Sequence, residues 1–392
     1  MNQIEKSMPL VSVIIPVYNA EQTICETLDS VFSQSHKNLQ VIVVDDASTD
    51  GSLEKIKNYT DTRLEIIQLA VNGNICAARN CALDQAKGDY IAFLDGDDIW
   101  MPTKIEKQVA FLEKEPSFGA CFTWAEIIDE NSCTHSLENP EIAWFHDVFH
   151  EGNRSHREWF MRLLTGGNFF CCSSSLVRAE IVRKIGKQNL ILLQLQDFEY
   201  WIRVLSHCDV HIICEELTRY RRIIDGNSLS ADNDVNRART SNENIYICKQ
   251  FFDYISDELF ISLFQDEFRN PGSETSLELA CEKAFLLEKA YCGKEPSLAS
   301  LEHLLGKDES AKVLIEKFGY GQKDFYKENA QRRYFDSCEY QRLSERINWL
   351  LKDVADYNQR IKELSEQIDL MVNSKSWKIT KPLRAVMKII HM

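Results

Sequence analysis

The chain has 392 residues, 44% hydrophobic and 27% charged, a composition that suits a globular protein of two or three domains and argues against wholesale disorder. Its net charge of −15 leaves no broad basic surface to neutralise phosphates, which argues against a general nucleic-acid-binding role. The 13 cysteines, an odd number without a CxxC pair, indicate free thiols in a reducing cytosol rather than a disulfide framework.

The N-terminal stretch MNQIEKSMPLVSVIIPVYN has a short apolar run broken by Pro16 and no small-residue cleavage site. Neither a signal peptide nor a spanning helix is expected there, and no other stretch approaches the roughly 18 apolar residues that a membrane crossing needs. The first hundred residues alternate strand and helix patterns. Leu10–Val17, Gln40–Asp45, Leu64–Leu69 and Tyr90–Asp95 read as buried strands. Glu21–Gln34, Ser52–Asn58 and Ala77–Lys87 read as helices, the last ended by Gly88. Such a series predicts an α/β domain with a mostly parallel, Rossmann-like sheet.

From about Phe118 to Ile224 the pattern is less regular, and from about Asp232 to Phe335 helical periodicity dominates, as in Ile245–Tyr254 and Leu277–Tyr291. Farther on, Leu343, Ile347, Leu350, Val354, Tyr357, Ile361, Leu364, Ile368 and Met371 are spaced alternately four and three residues apart. That heptad seam predicts a parallel two-stranded coiled coil and a homodimer, with an amphipathic helix packed on its own domain as the alternative. The expected organisation is a catalytic domain over 1–235, a helical extension over 236–338, a coiled coil over 339–372 and a basic amphipathic tail over 373–392. The tail carries Lys375, Lys378, Lys381, Arg384 and Lys388 without an acid, and taking these five cations from −15 leaves the rest at −20. With Trp377 and its aliphatic neighbours it suits the surface of an anionic membrane, or docking on the acidic body of the same protein.

In a parallel sheet, ligands bind beyond the carboxyl ends of the strands. There the first strand runs into Pro16-Val17-Tyr18-Asn19, the second into Asp45-Asp46 and the fourth into Asp95-Gly96-Asp97-Asp98. Five carboxylates on one rim repel unless a cation balances them, and all-oxygen ligands suit Mg²⁺ or Mn²⁺. Asn72–Asn80 reads as a loop entering a helix, whose backbone N–H groups and Arg79 could face a diphosphate. Neither GxGxxG nor GxxxxGK[ST] occurs. Asp197, within Gln196-Asp197-Phe198-Glu199-Tyr200-Trp201, sits among aromatic residues that would raise its pKa and make it a proton acceptor; either it or Glu199 could instead pair with Arg203. His146 and His150 have the i, i+4 spacing of a helical metal pair, but with no legible third ligand they read as ordinary loop residues near an acceptor-binding region.

In this order, VSVIIPVYNAEQTI, VIVVDDASTDGS, NGNICAARNCALDQAKGDYIAFLDGDD and QDFEYW resemble glycosyltransferase family 2, the inverting enzymes of the GT-A fold, over roughly residues 8–235. The resemblance implies that Pro16 and Tyr18 line a base pocket, Asp46 accepts a hydrogen bond from the base, and Arg79 lies near the diphosphate. It further implies that Asp95 touches the ribose or a metal-bound water, Asp97 ligates Mn²⁺ or Mg²⁺, and Asp197 is the general base. The implied donor is a nucleotide sugar, UDP by family habit. The implied acceptor is a glycan or lipid-linked glycan of bacterial surface-polysaccharide synthesis, handled in the cytoplasm at the inner face of the membrane. Two features depart from the family pattern: no histidine follows Tyr220-Arg221, and Gln196 stands where many members carry an acid. A nucleotidyltransferase and a non-catalytic coiled-coil scaffold are the alternative readings.

Overall fold

A computed structural model describes residues 8–223, 233–330 and 337–373. Residues 374–392, and with them nearly all of the basic tail, lie outside the described residues, as does the stretch that follows Ile223. The chain forms two compact units, Met1–Phe325 and Tyr326–Met392.

The first unit is built on an eight-stranded sheet of β1 (Val11–Val17), β2 (Leu39–Asp45), β3 (Leu64–Gln68), β4 (Tyr90–Phe93), β5 (Ile99–Trp100), β6 (Phe118–Ile128), β7 (Leu176–Arg178) and β8 (Asp209–Arg221). Its order is β3-β2-β1-β4-β7-β6-β8-β5. The strands β3, β2, β1 and β4 are parallel, linked by α1 (Ile24–Phe32), α2 (Ser52–Lys57) and α3 (Ile75–Gln85). Beyond β4 the sheet is mixed: β7 and β5 run against the other six strands, so the expected mostly parallel sheet holds only with these two exceptions. β7 runs antiparallel to β4 and β6, β6 and β8 are parallel, and β5 closes the edge antiparallel to β8. Between these strands lie α4 (Lys104–Lys114), α5 (Pro140–Phe149), α6 (His156–Gly166), α7 (Ala179–Ile185) and α8 (Gln196–Leu205).

Alternation along the central strands feeds two cores. Ile14, Ile42, Val44, Ile91 and Phe93 face one side, and Val11, Val13, Ile15, Val41, Val43 and Ala92 face the other, where α1 and α4 cover them. With both faces buried, β1 and β2 read as unbroken hydrophobic runs. The first core also takes in Phe198, Trp201 and Ile202 of α8, and Ile247, Phe251, Phe260 and Phe264 of α9 (Asp234–Lys249), α10 (Asp257–Phe264) and the turn between them. Four helices follow: α11 (Ser276–Leu286), α12 (Glu295–Leu305), α13 (Asp308–Phe318) and α14 (Gln322–Asn329). The first three share a smaller core around Cys281, Leu301 and Leu314. Gly88 is needed where β4 begins, because a Cβ there would stand 2.6 Å from the Ser12 backbone nitrogen.

In the second unit, α15 (Ser337–Asn373) is one helix of 37 residues. Ile347, Leu350, Val354, Tyr357, Ile361, Leu364, Ile368 and Met371 are each 45–65% exposed along it, and Leu343 lies outside the described side chains. Among the described residues, no helix is long and apolar enough to cross a membrane.

Candidate active site

The carboxyl ends of β1, β2 and β4 converge as expected, and their loops are laced together by local hydrogen bonds. Asn19 N–H donates to Ser48 Oγ at 3.0 Å, Ala20 N–H to Ser52 Oγ at 2.8 Å and Thr49 N–H to Asn19 Oδ1 at 2.8 Å. Three non-glycine residues in this rim are left-handed, Asn19 (φ 52°), Ala47 (φ 59°) and Asn74 (φ 76°). Each such residue costs about 1–2 kcal/mol. Asn19 tolerates a positive φ through its local side-chain bonds, but Ala47 has none to make and Asn74 (ψ 168°) lies in a region that ordinarily only glycine enters, so the surrounding lacework must hold both. Gly96 brings the β4 turn against β1, where a Cβ would lie 3.2 Å from the Pro16 carbonyl oxygen. Tyr18, just past the end of β1, is 52% exposed.

Asp46 is buried and its Oδ1 accepts the Gly73 N–H at 2.7 Å, so this carboxylate holds the loop before α3. Burial pushes its pKa up, against the backbone donors of Gly73 and Asn74. Asn74 caps α3, its Oδ1 accepting from Cys76 N–H at 2.9 Å and Ala77 N–H at 3.2 Å. The amides expected to face a diphosphate are therefore engaged within the protein. Arg79 lies not on the helix flank but beneath the rim, 1% exposed. Its Nη2 donates to Asp95 Oδ1 at 2.5 Å, and Nε and Nη1 have no partner among the described residues. This charge neutralises Asp95 from below.

Asp97 is treated differently. Burial and the neighbouring Asp95 push its pKa up to about 6, while its own backbone N–H and the charge of Arg221 oppose them. A partly buried carboxylate with this surplus of negative charge suits a cation. Asp98 is wholly structural: Oδ2 accepts from Ser173 Oγ and Oδ1 from Arg221 N–H at 2.8 Å. Ser173 Oγ in turn accepts the Asp95 N–H at 3.1 Å, so the acidic turn is pinned from both sides. The Arg221 side chain donates through Nε to the Asp97 carbonyl at 2.8 Å and through Nη2 to Glu26 Oε2 at 2.7 Å.

Asp197 opens α8. Its Oδ2 accepts from Asn168 Nδ2 at 2.9 Å and its Oδ1 from Phe198 N–H at 2.8 Å. Burial pushes its pKa up to about 6, with Arg79 pulling it down and Asp95 pushing it up, so Asp197 lies within electrostatic reach of the buried Arg79–Asp95 pair. Glu199, not Asp197, takes Arg203, in a bidentate pair with both contacts at 2.8 Å. Of the two acids that might have paired there, Glu199 does.

Two positioning residues escaped the sequence reading. Asn168 is a lone amide in an irregular stretch. Glu243, far along in α9, accepts the N–H groups of Leu193, Gln194 and Leu195 at 3.0, 3.0 and 2.8 Å and so fixes the entry to α8. Removing it strands three amides, each worth about 1–3 kcal/mol when buried and unpaired. Glu243→Ala is expected to lower stability by about 2–4 kcal/mol and kcat by up to about 10²-fold through misplacement of Asp197. Glu243→Gln should recover part of both, and urea unfolding with steady-state kinetics on the two variants checks this.

Residues 12–186 match the family model described as glycosyl transferase family 2. The chain is 34% identical over 202 residues to the putative glycosyltransferase EpsE of Bacillus subtilis, a match covering 50% of this chain and 67% of that protein. It is 47% identical over 144 residues to the putative teichuronic acid biosynthesis glycosyltransferase TuaG of the same organism, covering 36% and 57%. The match to the UDP-Glc:alpha-D-GlcNAc-diphosphoundecaprenol beta-1,3-glucosyltransferase WfaP of Escherichia coli is 46% over 115 residues, covering 28% and 44%. The chain thus spans two thirds of the first relative and about half of the other two. Among solved structures, S. aureus TarS 1–349 is similar at 17% identity and a TM-score of 0.48, over 83% of this chain and 92% of that one.

Proposed function

The chain belongs to glycosyl transferase family 2, and from that premise we propose that it moves a sugar from a nucleoside diphosphate to an acceptor hydroxyl with inversion at the anomeric carbon. One observation carries this reading: Asp197, held by Asn168 and desolvated, sits within the field of the Arg79–Asp95 pair, beside the acidic turn that ends β4. In this reading Tyr18 stacks on the base over Pro16, Asp46 keeps the Gly73 loop shaped for it, and Asp95 meets the ribose. Asp97, with Asp95 beside it, would hold a hard divalent ion, Mn²⁺ or Mg²⁺, which would supply positive charge near the diphosphate. Arg79 adds fixed positive charge from beneath, a preorganised contribution that needs no rearrangement during reaction. Asp197 takes the proton of the acceptor hydroxyl as its oxygen attacks, on a carboxylate oxygen whose second lone pair is free of its Asn168 or Phe198 bond.

The names of the relatives favour a UDP-sugar donor and a diphosphate-linked polyprenol acceptor in polysaccharide synthesis, on a GT-A catalytic unit. Membership of this family sets the nucleotidyltransferase alternative aside. Purified protein incubated with UDP-, GDP- and dTDP-sugars, Mn²⁺ and a synthetic GlcNAc-diphospholipid should release one nucleoside diphosphate in step with product. Release from none of them contradicts the reading.

The seam of α15 is open among the described residues, and the proposed occupant is the same seam of a second copy. Burying each Ile or Leu is worth about 1.5–3 kcal/mol. Ile361→Lys is therefore expected to turn a dimer into a monomer by sedimentation while leaving the melting of the first unit unchanged; a wild-type monomer sinks the idea. The basic tail is proposed to bind the anionic inner surface of the membrane. Flotation with anionic liposomes should fail on deletion of 374–392, and equal flotation of both forms counts against it.

A further inference from the structure

A second cluster of ligand-type side chains lies outside the acidic rim. His146 of α5, His150 at its C-terminal cap and Glu216 of β8 each offer one ligand atom, and the three atoms lie within 4.8 Å of one another. Sequence alone shows only the helical pair, because the third member is 66 residues past His150. It is delivered by an irregularity in the sheet. Thr123 pairs with Ile213 but Trp124 pairs with Glu216, so two residues of β8 are left over and the strand is re-aimed at that point.

The orientation of the imidazoles is informative. His150 Nδ1 lies 2.7 Å from the His146 carbonyl oxygen, which can only accept, so this nitrogen carries the proton. Nε2 of a neutral His150 then presents its lone pair to Glu216 Oε1 at 2.9 Å, where two acceptors meet. Something positive must lie between them, either a second proton or a metal ion. The His146 and His150 rings also stack, with centroids 3.8 Å apart and planes 17° apart. Two neutral rings stack without penalty, whereas two imidazolium rings at that distance repel. A backbone carbonyl on Nδ1 with Nε2 turned outward is also the arrangement that fixes metal-binding histidines in other proteins. Asp147 Oδ1, 3.5 Å from His146 Nδ1, supplies further negative charge.

From this geometry we infer that His146, His150 and Glu216 form a binding site for a borderline divalent transition ion, Zn²⁺ foremost, distinct from the hard-ion site at Asp97. Two imidazoles and a carboxylate are Zn²⁺ ligands, and Mg²⁺ does not compete well for nitrogen. A tetrahedral ion with bonds of about 2.0–2.1 Å has ligand–ligand edges of about 3.3 Å. The His150–Glu216 edge, 2.9 Å, already approaches that value, and the remaining edges, none over 4.8 Å, would have to shorten as the ion binds. The ion would clamp the end of α5 to the β6–β8 pair beside Trp124, whose ring lies 4.9 Å from that of His150.

Co²⁺ uptake by the full chain tests this, with saturating Mg²⁺ present to occupy the acidic turn. The wild type should take up one more Co²⁺ than Glu216→Gln or His150→Ala. Its spectrum should show ligand-field bands without the charge-transfer band that thiolates give, which separates the site from the free cysteines. In competition with a chromogenic chelator, Zn²⁺ affinity should fall in either variant by at least the roughly 10–100-fold that loss of a mere supporting residue costs. Equal uptake and equal Zn²⁺ affinity in wild type and Glu216→Gln overturn the inference and leave His150–Glu216 as a proton-shared pair. Glu216 is a half-exposed side chain, so its variant decides the matter even if His150→Ala does not fold.

Discussion

Asp197→Asn is expected to lower kcat by about 10²–10⁴-fold, the usual contribution of a general base, while nucleotide-sugar affinity stays near that of the wild type. The amide is isosteric but has one acceptor oxygen, so it keeps the bond from Asn168 or the one from Phe198 N–H and loses the other along with the proton acceptor. The pH profile supplies a second signature. Burial raises Asp197 to about 6, so the carboxylate is ionised and competent above that value and protonated below it. Turnover by the wild type should therefore fall as pH drops through about 6. Without metal Asp97 is also pushed up to about 6, so at subsaturating Mn²⁺ the acid limb should be steeper than one proton allows, and saturating Mn²⁺ should remove that contribution. Wild-type turnover by Asp197→Asn would place the base elsewhere.

The second large effect is a divergence between activity and stability in Asp97→Asn. Turnover should fall by about 10²–10³-fold, the scale on which one charge-stabilising group in an active site acts. Thermal stability without added metal should rise. The sign follows from linkage: the folded-state pKa lies above the ordinary carboxylate value, so ionisation of Asp97 disfavours the folded state, and that cost is fully present above about pH 6. An uncharged amide removes it. A gain of ~1 kcal/mol corresponds to about 2–4 °C in a domain of this size, and differential scanning fluorimetry above about pH 7 reads it. A purely structural acid would show the opposite, losing stability with activity, as Asp98 should, because its two carboxylate oxygens hold Ser173 and Arg221. Sites that sacrifice stability for function behave in the way expected of Asp97.

What could be read from residues alone follows a simple division. The β1–α3 series was open to inspection because β1 and β2 are buried on both faces and read as continuous apolar runs, whereas β3, half-exposed, was marked by its β-branched run. The mixed half of the sheet was not. β6 and β8 pair across about 90 intervening residues, and the bulge beside Trp124 breaks the period that would have marked them. Asp197 was visible through its aromatic neighbours, and Asp97 through its glycine turn. Arg79 was not assignable to the interior, because helical spacing gives its face but not what covers it. Asn168, Ser173 and Glu243 are single polar residues whose importance comes from partners distant in sequence. In the same way His146 and His150 could be paired on one helix, while Glu216 could not be added to them.

The most direct test of the central claim is calorimetric titration of the purified protein with UDP, GDP, dTDP and CMP, with and without Mn²⁺, and with Asp97→Asn alongside. A nucleotide-sugar transferase built as described should bind one nucleoside diphosphate tightly only when Mn²⁺ is present, and the variant should lose that metal-dependent affinity. Binding of none of the four, or equal binding with and without Mn²⁺ in both proteins, would contradict the assignment of the carboxylate rim as a metal-assisted donor site.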